Sequence, residues 1–460
     1  MVFSSITFMV FFLPLVLLFY FMLKNETYRN GVLIVFSLVF YAWGEPKWIL
    51  IMLLTVLVNY LCGVMITRSD KRFVKKLWML LGVCLGIGFL VYFKYFGFMM
   101  DSICSLIKCK NNFVSPVLPI GISFYTFQVL TYTIDVYKGK TKVQKNFFML
   151  LLYVAFFPQL IAGPIVNYKD IEKQLKNRVH TLDKFAEGFI RFLIGFSKKI
   201  LLANTCGEIL QHVDITVNTS VLGAWLTAIA YTLQIYFDFS GYSDMAIGLG
   251  KMFGFEFLEN FNYPYISKSI TEFWRRWHIS LGSFFREYVY IPLGGNRVSK
   301  LKQIRNIMIV WALTGIWHGA SYNFLVWGLY YGVLLIIEKQ FFLKLKDKIP
   351  AFINVIFTLP FVIIGWVIFY HIDMSNGLLH IGAMFGINAK LYDSVAIYYF
   401  KHFLGFLLIA IMASIPWKNV FKNKFIESPI LKVIVVSLIA AISFAMLIGQ
   451  SYNPFLYFRF

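Results

Sequence analysis

The fold is decided by stretches such as WILIMLLTVLVNYLCGVMIT, Trp48 to Thr67, which is followed by RSDKRFVKK, Arg68 to Lys76. The first stretch has 20 residues and no charge, which is enough for an α-helix to cross the hydrocarbon core of a bilayer. The second stretch carries five basic residues, a pattern typical of cytoplasmic loops beside membrane helices. Together they predict a membrane helix that ends at the cytoplasmic face.

The rest of the chain has the same character. Its 460 residues are 59% apolar, 19% aromatic and only 14% charged, more apolar surface than a soluble interior can bury. We therefore expect an all-α polytopic membrane protein, one domain over residues 1–460, with about 11 transmembrane helices and further re-entrant or interfacial helices. The apolar segments lie at about residues 5–24, 31–43, 48–67, 77–99, 116–134, 147–166, 186–204, 221–250, 306–337, 351–371, 396–416 and 429–449.

The net charge of +21 is concentrated in a few loops. Basic loops beside membrane helices are ordinary membrane topology, so we expect membrane lipid and no nucleic acid as a partner. Residues 138–145 are also basic, whereas residues 206–220 contain no Lys or Arg. Counting helices between these loops predicts that both termini are extracytoplasmic. The count also requires residues 147–166, which contain FFPQLIAGPIV, to enter the membrane and return.

The five cysteines form no metal or disulfide pattern. Cys104 and Cys109 could pair if their loop faces an oxidising space, and unpaired thiols are the alternative. The sequence also lacks a P-loop and a dinucleotide-binding motif. We expect no bound metal and no bound cofactor.

Residues 262–328 form a polar segment that interrupts the apolar pattern, and we predict that it is the catalytic core. Its first part, Asn262 to Arg297, suits amphipathic helices, and an interfacial helix with snorkelling arginines is one interpretation. That interpretation does not explain His278. His318 lies in WALTGIWHGASYNFLVWG, which otherwise predicts a membrane helix, and is either a functional residue or a neutral, hydrogen-bonded one. Two such imidazoles indicate proton transfer to or from a hydroxyl.

A third polar stretch, QIYFDFSGYSDMAIGLG from Gln234 to Gly250, puts carboxylates in a membrane segment. A buried carboxylate needs a partner, so Asp238 either pairs with an arginine of the polar segment or helps to shape a cavity for a polar substrate. The candidate substrate residues are Trp274, Arg275, Arg276, Trp317, Asp238 and Ser243.

Several of these motifs resemble the membrane-bound O-acyltransferase family, in particular its bacterial branch of alginate and peptidoglycan O-acetyltransferases. The resemblance covers nearly the whole chain and is carried by LPIGISFYTFQ (118–128), FFPQLIAGPI (156–165), YFDFSGYSDMAIG (236–248), PYISKSITEFWRRWHISLGSFFREYVYIPLGGNR (264–297) and GIWHGAS (315–321). It implies helices around a central funnel, acetyl-coenzyme A as the acyl donor, His318 as the catalytic histidine and His278 as its partner.

The last residues, NPFLYFRF from Asn453 to Phe460, form an aromatic tail. The tail resembles the C-terminal motif of the small partner in teichoic acid D-alanylation, where a tyrosine accepts the acyl group. This resemblance implies that Tyr457 is a catalytic relay and that an extracytoplasmic, esterase-like SGNH-type partner passes the acetyl group to a polysaccharide. Anchoring would come from Phe455, Phe458, Arg459 and Phe460.

Three other interpretations of these patterns stay open, one of which is a scaffold for an assembly complex, in which neither histidine would matter to chemistry. The tail could be a simple interfacial anchor. The whole protein could be a proton-coupled transporter or flippase for a cell-envelope precursor, with the two histidines as a proton relay. Only an acetyltransferase in the bacterial cytoplasmic membrane predicts that acetyl-coenzyme A is cleaved to free thiol in a manner that depends on His318.

Overall fold

The computed structural model describes residues 1–109, 113–161, 163–213, 219–342, 348–416, 428–449 and residue 456. Within these ranges the chain is helical and forms no strand. A single parallel bridge joins Ser220 to Lys390. The all-α prediction is confirmed for the part of the chain that is described.

The first half of the chain begins with a π-helical segment, Thr7–Phe12, and a second such segment, Val91–Tyr95, joins α4 to α5. Its helices are α1 (Leu13–Met22), α2 (Glu26–Gly44), α3 (Ile49–Arg68), α4 (Arg72–Leu90), α5 (Phe96–Ile107), α6 (Ile122–Tyr137), α7 (Phe147–Ala155), α8 (Phe157–Leu160), α9 (Tyr168–Lys176) and α10 (Leu182–Ser197).

The second half contains three further π-helical segments: Lys198–Ala203, Arg286–Tyr290 and Glu338–Phe342. Its helices are α11 (Asn204–His212), α12 (Val221–Met252), α13 (Ile270–Arg276), α14 (Ile279–Phe285), α15 (Lys300–His318), α16 (Tyr322–Ile337), α17 (Ala351–Tyr370), α18 (Met374–Met384), α19 (Ser394–Ala413) and α20 (Pro429–Gly449).

Six helices in the described ranges are long and apolar enough to cross a membrane. The protein is therefore a multi-pass membrane protein, while the expected number of 11 transmembrane helices and the funnel stay predictions. The six are Ile49–Arg68, Arg72–Ile107, Tyr322–Phe342, Ala351–Tyr370, Ser394–Ala413 and Ile430–Gly449.

Residues 147–166 do not form one straight helix, whereas their entry into the membrane and return stays a prediction. Helix α7 ends at Ala155, and Phe156 has φ −53° and ψ 110°, which is not helical. The short helix α8 then carries Pro158 in its first turn, where the missing N–H of proline is tolerated. A straight membrane helix is therefore excluded for this segment.

The helices form two compact units, residues 1–192 with 244–258, and residues 193–243 with 259–460. In the first unit, α6 is buried along almost its whole length. Cys104 and Cys109, at the end of α5 in the same unit, are both free thiols. The second unit contains the core that positions both candidate histidines, with Trp277, Trp327 and Trp366 among its buried residues.

Helices α15 and α16 of the second unit pack with their backbones in contact. A Cβ on Gly315 would overlap the carbonyl oxygen of Phe324, and a Cβ on Gly328 would overlap that of Trp311. Glycine therefore permits this close approach. Gly315, three residues before His318, thus lies directly against the backbone of α16.

Candidate active site

The polar segment folds as two short helices that meet at His278. Helix α13 is capped by Ser269, whose side chain accepts the Glu272 N–H at 3.1 Å. The buried carboxylate of Glu338 also accepts the N–H groups of Ile270 at 2.5 Å and Thr271 at 3.1 Å. Because charged acceptors at a helix N-terminus are strong caps, Glu338 fixes the start of the helix that leads to His278.

His278 has a left-handed backbone, with φ 45° and ψ 54°. This conformation is uncommon for residues other than glycine and costs free energy unless its surroundings hold it. Two backbone hydrogen bonds hold this conformation. Gly282 N–H donates to the His278 carbonyl at 3.1 Å, and Ile279 N–H donates to the Asn260 carbonyl at 3.0 Å. The turn directs the chain from α13 into α14 and leaves the His278 side chain only 2% exposed.

The imidazole of His278 lies in a polar contact network around Asn260. Its Nδ1 is 3.2 Å from the Asn260 Oδ1, which also accepts the N–H of Ser280 at 3.2 Å and its hydroxyl at 2.9 Å. The amide of Asn260 donates to Ser243 at 3.2 Å. Burial lowers the pKa of His278 below its usual value of 6.5, so its imidazole is neutral and able to accept a proton at physiological pH.

His318 is the last residue of α15, and not an interior residue of one long membrane helix as the sequence predicted. The helix ends there because Gly319 is extended, and α16 begins at Tyr322. The imidazole is buried against Trp327 and Phe369, with ring centroids 4.9 Å and 5.3 Å away. A helix end of this kind can leave a side chain accessible to a ligand that a continuous helix would cover.

Trp317 contacts both histidines. Its ring centroid is 6.1 Å from that of His278 and 5.0 Å from that of His318. The two predicted catalytic histidines therefore lie on the same buried tryptophan, although 40 positions separate them in the sequence.

A cavity of about 740 Å³ is lined by His278 and by apolar side chains of α13 and α15. Trp274 and Arg275, two of the predicted substrate residues, are also in its lining. Arg286 and Lys339 add two further cations, and all three cations are exposed. The cavity thus combines an apolar wall and one buried imidazole with a positive rim, whereas Trp317 and His318 are not among the residues that line it.

Arg276 has a different role from its neighbour Arg275. Its guanidinium forms an ion pair with Glu272 at 2.9 Å and donates to the Asn262 carbonyl at 3.0 Å. These contacts join α13 to the preceding loop. Arg276 therefore stabilises the segment, while Arg275 has no ion pair with the described residues and is available to a ligand.

Asp238 pairs with Lys199, not with an arginine of the polar segment. The Lys199 Nζ and the Asp238 Oδ1 are 2.7 Å apart, and the two side chains are 3% and 2% exposed. The other oxygen of Asp238 accepts the backbone N–H of Leu456 at 2.8 Å. Of the two interpretations of Asp238, pairing with an arginine of the polar segment is therefore wrong, because Lys199 of the π-helical segment 198–203 is the partner. A role of Asp238 in shaping a substrate cavity stays a prediction.

Leu456 is the one residue of the aromatic tail within the described ranges. It is buried in the same hydrophobic core as Tyr236, Trp277 and Trp327. Phe239, next to Asp238 in α12, packs edge-on against His278 with 4.7 Å between ring centroids. The roles predicted for Phe455, Tyr457, Phe458, Arg459 and Phe460 lie outside the described residues and stay predictions.

A family model for the membrane-bound O-acyltransferases (MBOAT) matches residues 142–380, which is more than half of the chain and includes both histidines. The chain belongs to this family. MBOAT proteins are acyltransferases, so membership makes this chain an enzyme and disfavours the transporter interpretation.

Similar proteins refine this placement within the MBOAT family. The probable alginate O-acetylase AlgI of Pseudomonas aeruginosa is 46% identical over 379 residues, covering 80% of this chain and 72% of the relative. The protein of that name from Azotobacter vinelandii is 40% identical over 507 residues, with both chains fully covered. A peptidoglycan O-acetyltransferase of Helicobacter pylori is 34% identical over 423 residues, covering 84% and 80%.

Three positions whose side chains organise the candidate site were not predicted from the sequence. Lys199 had a detectable signal, since it is a charge inside the apolar segment 186–204. Glu338 had a weaker one, as an acid at the end of a membrane helix. Asn260 had none, because its importance comes from a contact with a histidine 18 positions away.

Proposed function

We propose that the protein takes acetyl groups from cytoplasmic acetyl-coenzyme A and transfers them across the bacterial cytoplasmic membrane for O-acetylation of a cell-surface polysaccharide. The observation that carries this proposal is the buried imidazole of His278 on a cavity with a basic rim. The names of the relatives support an acceptor of the alginate or peptidoglycan class.

The cavity suits the two ends of the donor. The exposed cations Arg275, Arg286 and Lys339 match the phosphates of coenzyme A, since guanidinium and ammonium groups bind phosphate oxygens strongly. The apolar wall, with Trp274 and Trp277, suits the thin pantetheine arm and its thioester. Bound in this way, the thioester would approach His278.

We further propose that the Tyr457 hydroxyl is the first acetyl acceptor. The hydrogen bond from Leu456 to Asp238 supports this relay, because consecutive Cα atoms are only about 3.8 Å apart and Asp238 neighbours the ring that packs on His278. Burial of aromatic side chains would hold the tail, at roughly 1.5–3 kcal/mol each if fully buried. The anchoring residues are Phe455, Phe458 and Phe460, with Arg459 fixing the register.

The chemistry requires a base. The hydroxyl oxygen attacks the thioester carbonyl, the C–S bond breaks, and the hydroxyl proton passes through an imidazole to the departing thiolate. A phenol has a reference pKa near 10, so it is a weak nucleophile at neutral pH without such a base. His318 and His278 are the two imidazoles proposed for this role.

An extracytoplasmic partner would then remove the acetyl group from the acetyl-tyrosine. We propose an esterase-like, SGNH-type protein that esterifies the glycan, which requires the tail to lie on the outer side of the membrane. Both termini are therefore proposed to be extracytoplasmic.

The test is incubation of the purified protein, in detergent or liposomes, with acetyl-coenzyme A. Released thiol and the mass of the C-terminal peptide are then measured for the wild type, His318→Ala and the matched control Tyr457→Phe. The relay predicts one acetyl group on the wild-type tail and none in either variant. Thiol release that persists in Tyr457→Phe at the wild-type rate would refute the relay, and thiol release that is unchanged in His318→Ala would refute the transferase site.

A further inference from the structure

We propose that Asn260 is a positioning residue: it fixes the tautomer of His278 and thereby makes the His278 Nε2 the proton acceptor for the acetyl-accepting hydroxyl. The inference rests on the proposed function, because it concerns a proton that only acyl transfer to a hydroxyl releases. It names His278 as the acceptor of this proton, a choice between the two histidines that the sequence alone does not make.

The orientation of the Asn260 amide follows from its contacts. Its side chain is fully buried. The backbone N–H of Ser280, 3.2 Å away, can only donate, so the amide atom that faces it must be the oxygen. The opposite side of the amide, Nδ2, donates to Ser243 at 3.2 Å. Both sides of the amide are therefore occupied, and a flip would put two N–H donors against each other.

The tautomer of His278 follows from that orientation. The Asn260 oxygen can only accept, so the Nδ1 of His278 at 3.2 Å faces it as a donor. The Ser280 hydroxyl also lies 3.4 Å from Nδ1, but it donates its hydrogen to the nearer Asn260 oxygen at 2.9 Å. A neutral imidazole has one N–H, so the lone pair is on Nε2. The Nε2 atom is buried and has no hydrogen-bond partner in the described part of the chain, while His278 itself lines the cavity. Nε2 is thus the ring nitrogen left for a ligand.

The groups packed against the imidazole do not compete for this proton. Phe239 of α12 and Trp317 of α15 contact the ring, and neither carries a charge. The titratable and charged groups that share the cavity are Arg275, Arg286, Tyr290 and Lys339. Burial is the cause that lowers the pKa of His278 and favours an unprotonated Nε2.

The proton balance of the step is complete. The acceptor oxygen bonds to the acetyl carbon as its proton moves to Nε2, and the C–S bond breaks. The imidazolium then returns the proton to the thiolate, which leaves as the free thiol. During this cycle the Asn260 oxygen stays on the Nδ1 hydrogen and stabilises the transient positive charge.

Asn260→Asp tests the assignment with little change in shape. The carboxylate keeps an acceptor on Nδ1 and adds an opposite charge, which raises a neighbouring pKa by about 1–3 units. As the pH is lowered, the rate of thiol release from acetyl-coenzyme A should therefore begin to fall at a pH about 1–3 units higher in Asn260→Asp than in the wild type. The wild-type rate should stay constant through mildly acidic pH. Asn262→Asp is the matched control, because it adds the same charge at an exposed site two residues away. The pH at which its rate of thiol release falls should be the same as in the wild type.

Asn260→Ala supplies a second test. The maximal rate should fall at least about tenfold, part of the roughly 10²–10⁴-fold that a positioned base contributes, and the acetyl-coenzyme A concentration for half-maximal rate should not change. Size-exclusion profiles in detergent report folding of each variant. An Asn260→Asp variant whose rate falls at the same pH as that of the wild type, or an Asn260→Ala variant that loses only donor affinity, overturns the inference. A wild type that releases no thiol overturns the proposed function instead.

Discussion

The backbone N–H of Leu456 donates to the carboxylate of Asp238 at 2.8 Å, across 218 positions of the sequence. The same carboxylate forms a buried ion pair with Lys199. One acidic side chain therefore joins α12, the π-helical segment that follows α10, and the aromatic tail within a single unit. This junction lies one residue from Phe239, which packs on His278.

The ion pair gives a first prediction. Removing one partner of a buried pair leaves an uncompensated charge, which costs about 3–5 kcal/mol, whereas replacing both is often close to neutral. Asp238→Asn and Lys199→Met should each destabilise the protein by this amount, while the double variant should recover most of the loss and keep an acceptor for Leu456. Unfolding of the wild type, both single variants and the double variant in detergent, followed by tryptophan fluorescence, gives the four free energies of unfolding that this comparison needs. Purely additive single effects would show that the pair is not coupled.

The two neighbouring arginines of α13 give a second prediction. Arg275 lines the cavity, and loss of a charged hydrogen bond to phosphate costs about 1.5–3 kcal/mol. Arg275→Gln should therefore raise the KM for acetyl-coenzyme A roughly 10- to 100-fold. Arg276→Gln is the control, because that side chain is engaged with Glu272, and its KM should stay within about twofold. Initial rates of thiol release over a range of acetyl-coenzyme A concentrations, measured within the first turnover, give both values. Equal half-saturating concentrations for the two variants would contradict the proposed donor site.

The helix contact beneath His318 gives a third prediction. A methyl group at Gly315 would meet the Phe324 carbonyl oxygen and the Gly328 Cα, so Gly315→Ala should force α15 and α16 apart and cost about 1–3 kcal/mol. Gly405→Ala in α19 is the control, since no atom lies within 4 Å of a Cβ there, and alanine should stabilise that helix by about 0.5–1 kcal/mol. The thermal midpoint of unfolding in detergent should fall for Gly315→Ala and rise for Gly405→Ala. Midpoints that move in the same direction would count against the proposed helix contact.

How far the sequence predicts this protein depends on the range of each interaction. The membrane helices, the break near Phe156 and the family were all predictable, because apolar runs, prolines and contiguous motifs are local signals. The catalytic partnership of His278 and His318 stays a prediction, although both rings lie near Trp317. The number of transmembrane helices and the tail residues around Tyr457 stay predictions.

The errors and omissions concern contacts between distant segments. The partner of Asp238 was assigned to the wrong basic residue, since charge alone does not distinguish Lys199 from an arginine of the polar segment. The end of α15 at His318 was missed because the hydropathy of residues 306–337 is continuous across Gly319. Asn260 was missed because one buried amide resembles any other in a sequence, and only its contacts separate an orienting residue from a solvated one.

The left-handed backbone at position 278 bears on how the imidazole should be removed in an experiment. Asparagine is the residue other than glycine that adopts this conformation most readily, so His278→Asn takes away the titrating ring while leaving the turn between α13 and α14 undisturbed. Alanine at the same position would change the chemistry and the backbone preference together. A knockout built with asparagine therefore reports on the lost proton acceptor alone, and the difference between the two variants measures how much of the site depends on the turn.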